Sequence, residues 1–89
     1  MQEIKKVLIA RTNNYGPFEG HADITQKLKR VMQETEQWSA LPPEQREALE
    51  MIQHKIGRIL NGNPHYADSW VDIAGYATLV ATTLDPAKD

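Results

Sequence analysis

Between Lys55 and Tyr76 the chain gathers side chains that could hold a charged ligand: Lys55 and Arg58 in one apolar-patterned segment, Asp68, Asp72 and Tyr76 in the next. Two cations can grip a phosphate. Carboxylates beside them can orient the cations or hold a divalent ion, and a phenol can stack or hydrogen bond. The same residues have a second use, because opposite charges in a helix-packing seam can pair and fix the register of two helices. Their types and spacing are compatible with either role.

The elements that must position them read as helices. Pro43 suits a first helical position, and Glu44 and Glu47 follow it where carboxylates favour the positive helix end. Leu49, Ile52, Ile56, Ile59 and Leu60 then recur at helical spacing until Asn61-Gly62, which reads as a left-handed stop. Asn63 is a candidate cap and Pro64 a candidate first position for the next helix. Its face is Trp70, Ile73, Ala74, Ala77, Val80 and Leu84, and Asp85-Pro86 ends it. Helices joined so tightly pack antiparallel. Residues whose numbers add to about 124 are then level, which sets Lys55 between Asp68 and Asp72, and Arg58 near His65 and Tyr66. Gly57 and Gly75 fall inside helices at about 1 kcal/mol each relative to alanine, which points to close backbone approach or room for a ligand or partner chain.

Upstream, residues 2–11 carry Ile4, Val7, Leu8 and Ala10 near helical spacing, so a short first helix is expected to end before Asn13. Residues 13–21, with two glycines, a proline and two aromatics, read as an ordered loop that tucks Tyr15 and Phe18 under the helices. Asp23 is the expected cap of a second helix, with Ile24, Leu28, Val31 and Met32 as its buried stripe and Trp38 closing it. The fold class is all-α: a small bundle of three to four helices with an antiparallel C-terminal hairpin, in one domain over residues 1–89 with a frayed tail at 86–89.

Composition narrows the function. At 89 residues and 40% apolar content the chain is short for a self-sufficient core, so a homo-oligomer is expected. It contains no cysteine, which excludes disulfides, thiolate metal sites and thiol nucleophiles and fits a reducing cytoplasm. A net charge of −2 and a pI near 5.9 do not supply the field that duplex nucleic acid needs, despite the small basic patch of Lys27, Lys29 and Arg30. There is no apolar stretch of membrane-spanning length and no signal-peptide pattern, so no membrane partner is expected. His21, His54 and His65 show no metal-ligand spacing on one element, and no metal site is assigned. Ser69 lacks a histidine at a spacing that would activate it. Trp38 and Trp70 read as core or interface anchors rather than ligand platforms.

Arg11 with Tyr15-Gly16, followed by HKIGRI and DSWVDIAGYATL, resembles small phage and prophage proteins classed as a domain of unknown function. The resemblance spans most of the chain, with DSWVDIAGY its most specific part. It implies an all-helical fold and a phage or prophage setting in a bacterial cytoplasm, and the family has no established activity to carry over. More distantly the chain is similar to all-α nucleotide pyrophosphohydrolases of the MazG type, which hold magnesium against a triphosphate with an ExxE pair and an ExxD pair. Here the counterparts are Glu44-x-x-Glu47 and Asp68-x-x-x-Asp72, and on the hairpin register Glu47 lies about 14 Å from the level of Asp68. Shared magnesium would therefore require carboxylates from a second subunit.

Three functions follow as expectations. The leading one is an oligomeric, non-enzymatic protein that binds a nucleotide-like anion through Lys55, Arg58, Asp68, Asp72 and Tyr76, with Arg11 and Tyr15 nearby, and needs no cofactor. The others are a magnesium-dependent pyrophosphohydrolase and a purely structural interaction protein.

Overall fold

Prolines and glycines divide the chain into four helices. The computed structural model describes residues 2–85. Helix α1 spans Gln2–Tyr15, α2 Phe18–Gln33, α3 Pro43–Asn61 and α4 Ala67–Leu84, with a short 3-10 turn at Trp38–Ala40 and no strand among the described residues. The expected all-α bundle is therefore the fold, with α3 and α4 as its antiparallel hairpin. No helix among the described residues is long and apolar enough to cross a membrane.

α3 is the central element, packed against both α2 and α4, while α1 touches the ends of α2 and α3. Gly57 of α3 meets His21 and Thr25 of α2, whereas Lys55 meets Asp72 of α4. Two residues along a helix is a rotation of about 200°, so α2 and α4 occupy opposite flanks of α3.

Several boundaries differ from the sequence expectation. α1 runs on to Tyr15, and the expected loop shrinks to Gly16 and Pro17. Gly16 makes the corner possible by adopting φ +76, a left-handed conformation that side chains disfavour. Pro17 stands where Asp23 was expected as the cap. Asp23 lies inside α2, bound at 2.9 Å to exposed Lys27, which also neutralises part of the basic patch. Phe18 is 78% exposed rather than tucked away, while Tyr15 is half-buried. α2 stops at Gln33, short of Trp38, which sits half-buried in the 3-10 turn.

At the hairpin corner α4 starts at Ala67, three residues later than Pro64. Asn63 Oδ1 is used within the turn, accepting from the His65 backbone N–H at 2.9 Å, and no side chain caps α4. Gly62 has φ −134 and is no left-handed stop; it lies against the backbone of Asn14 and Tyr15. The later start shifts the hairpin register by about three residues, which brings Lys55 level with Asp72 instead of between Asp68 and Asp72.

The interior is polar. His21, Thr25, Gln53, Lys55 and Ser69 are buried, and Ala48 is the one buried apolar side chain among the described residues. The apolar stripes expected to form the core lie largely at the surface: Leu49 is 41% exposed, Leu60 67%, Trp70 55% and Leu84 66%. Ile52, Ile59, Ile73 and Val80 are half-buried. The spacing put these residues on common helix faces, but the burial expected of them is not met in the single chain, where Val31 of the α2 stripe is also 65% exposed.

Candidate functional site

The seven residues singled out from the sequence fall into two groups. Lys55 Nζ lies 2.9 Å from Asp72 Oδ2, with the lysine side chain 10% exposed and the carboxylate 45%. Its charge is thus matched within the hairpin. Tyr76, one turn beyond Asp72, shares with it a shallow groove on α4 beside Gly75.

Arg58 is differently placed. Its guanidinium carbon sits 4.1 Å from the centre of the Tyr15 ring, a stacking that leaves the in-plane N–H groups available. Tyr15 packs edge-on against Tyr66, with ring centres 5.7 Å apart. The Asp68 carboxylate, beside the Tyr66 hydroxyl, raises that phenol's pKa above its usual value.

Arg58, Tyr15 and Arg11 line a cleft of about 190 Å³ between α1, α2 and α3, together with Phe18, His21 and His54. Among the described residues no carboxylate lines it. Asn61, at the end of α3, closes one end of the frame by donating from Nδ2 to the carbonyls of Tyr15 at 2.9 Å and Pro17 at 2.8 Å. Gly16 and Gly20 leave the space that Asn61 fills. The Tyr15-Gly16 pair thus serves the cleft twice: the tyrosine supports Arg58, and the glycine admits the clamp.

The histidines form a pair that spacing within one element could not reveal. His21 Nε2 and His54 Nδ1 are 3.3 Å apart across the α2–α3 seam, with the rings crossed at 82°. Burial, the His21 ring and the nearby Arg58 and Lys55 charges push the His54 pKa down to about 4. Burial and Arg58 lower that of His21 as well. Both rings are neutral at pH 7, and buried His21 Nδ1 faces Gly57 without a well-formed hydrogen bond. Among the described residues no three histidine or carboxylate side chains gather where they could hold a metal.

A family model described as a domain of unknown function, DUF6378, matches residues 1–84. The chain belongs to that family. No curated protein and no solved structure matches it. The DUF6378 match takes in both halves of the geometry, the arginine cleft and the Lys55–Asp72 hairpin pair.

Proposed function

We propose that this chain is an oligomeric, non-enzymatic binder of a nucleotide-like, phosphate-bearing anion, held in the cleft of Arg11, Tyr15 and Arg58. One observation carries the reading: two arginines line a cleft with no carboxylate among the described residues, and one of them is pre-positioned on an aromatic ring. Guanidinium groups bind phosphate oxygens in a planar, two-pronged manner, and an ordered side chain loses less entropy on binding. Exposed Phe18 at the rim offers a flat apolar face for a base. At about 190 Å³ the cleft is smaller than the ~300–1,000 Å³ typical of sites that enclose a whole ligand. It accommodates the phosphate end or the base, with the remainder of the ligand outside. The phage or prophage resemblance gives such a binder a setting, in nucleotide metabolism or in sequestering a host signalling nucleotide.

A thermal-shift panel of nucleotides and inorganic pyrophosphate tests the proposal. Ligand at ten times its Kd contributes about 1.4 kcal/mol, a rise in Tm of roughly 6–10 °C for a chain of this size. No shift with any ligand supports the structural reading, in which the charges only set helix register. Release of phosphate from a nucleoside triphosphate in the presence of magnesium supports the pyrophosphohydrolase reading.

A further inference from the structure

We infer that a second copy of this chain docks on the apolar face shared by α3 and α4, so that two hairpins close a four-helix bundle. The face is a groove of about 240 Å³ lined by Gln45, Ala48, Leu49, Ile52, Ala77, Val80 and Leu84, with no charged side chain among them. Residues 45, 49, 52 and 56 lie within about 60° of one another around α3. That direction falls between the flanks taken by α2 and α4, so it is open.

Surface area shows how much is left uncovered. The chain exposes 6604 Å², whereas a compact monomer of its mass exposes about 5,300 Å². Its radius of gyration is 15.3 Å, against about 12 Å for a compact chain of this length. The excess of about 1,300 Å² is spread over the whole chain, α1 included; covering it on each of two copies would give an interface within the ~2,000–5,000 Å² range of obligate homodimers.

The scarcity of buried apolar side chains identifies the occupant. With Ala48 alone in that class among the described residues and the isoleucines of α3 and α4 at most half-buried, much of the hydrophobic term is left for association to supply. The partner must then be present wherever the chain folds, a condition that another copy of the chain meets. Charge selects this side of the hairpin over the other. The opposite groove carries Glu44 and Glu47, so two copies meeting there would bring carboxylates together, whereas the Leu49 side has nothing to repel. The arginine cleft involves the Arg58 and His54 side of α3, and docking leaves it open.

The proposed function shares the expectation of self-association, but neither ligand nor cleft enters the test of this surface. Size-exclusion chromatography with light scattering, paired with melting curves across a wide range of protein concentration, should give the mass of two chains or an even multiple. Tm should rise with concentration. Ala77→Glu and Leu49→Glu should reduce the particle to one chain or lower its Tm by several degrees, while Leu79→Glu, on the opposite flank of α4, should keep the assembly. Ala77 is exposed in the single chain, so unfolding by Ala77→Glu with Leu79→Glu intact also supports the inference. A single-chain mass with concentration-independent Tm overturns it, as does dissociation by Leu79→Glu but not by Ala77→Glu.

Discussion

Lys55 and Arg58 are three residues apart on one helix and have different electrostatic roles. Lys55 is buried against Asp72, so Lys55→Met removes a partner from a half-exposed carboxylate that water can still reach. The expected cost is about 1–2 kcal/mol in chemical denaturation, below the ~3–5 kcal/mol seen when a fully buried charge is stranded. The His21–His54 pair adds a pH dependence. His54 has a folded pKa of about 4, below the ~6.5 of an unfolded histidine. The unfolded chain therefore binds more protons in this window. Stability is complete above about pH 6.5 and falls as pH drops toward 4, by on the order of 1–2 kcal/mol after allowing for solvent screening. Melting curves from pH 4 to 7 should show this slope, and His54→Phe should flatten it. An anion in the cleft favours protonated histidine, so its affinity should rise as pH falls through the same range. The histidine pairing was illegible in the sequence, because residues 33 positions apart meet only through the α2–α3 packing.

Glycines inside helices separate internal packing from free surface. A Cβ on Gly57 would stand 2.6 Å from Thr25 Cγ2 and 3.2 Å from His21 Nδ1, so Gly57→Ala must push α2 away from α3. We expect a loss of about 1–3 kcal/mol from overpacking. Gly75 has nothing within 4 Å, and Gly75→Ala should stabilise α4 by about 0.5–1 kcal/mol through helix propensity and unfolded-state entropy. Urea titration of both variants reads the opposite signs. Helices α3 and α4 were legible because their apolar spacing, Pro43 and the Asn-Gly-Asn-Pro corner all agree. The corner misled by three residues, since Asn63 and Pro64 suit a helix start equally well in isolation; in the fold Asn63 instead closes a turn, and its backbone N–H donates to Asn14 at 2.7 Å. The Asn13–His21 segment read as a loop because its turn residues outnumber its apolar ones. Gly16 compresses that reversal into a single corner, which allows helices to run up to it from both sides.

At the scale of the whole molecule, α3 carries two kinds of surface. One side supplies Arg58 and His54 to the arginine cleft, and the other carries Leu49 and Ile52 toward the face assigned to a second copy. Amphipathic periodicity marked the latter residues as buried, whereas in the single chain Leu49 is exposed and Ile52 half-buried; the spacing of a single sequence does not say which chain covers an apolar face. Asn61 links the C-terminal hairpin to the α1–α2 corner through its two hydrogen bonds, so Asn61→Ala should loosen α1 and weaken ligand binding even though Asn61 does not line the cleft. The central claim is that Arg58, with Arg11, is free to hold an anion while Lys55 is committed to Asp72. Calorimetric titration of a nucleoside triphosphate into the wild type, Lys55→Met and Arg58→Gln, each confirmed folded by circular dichroism, tests it most directly. The expected result is a Lys55→Met affinity within about threefold of wild type and an Arg58→Gln loss of roughly 10- to 150-fold, the value of a charge-assisted hydrogen bond. Equal losses in both variants, or no binding by the wild type, would contradict it.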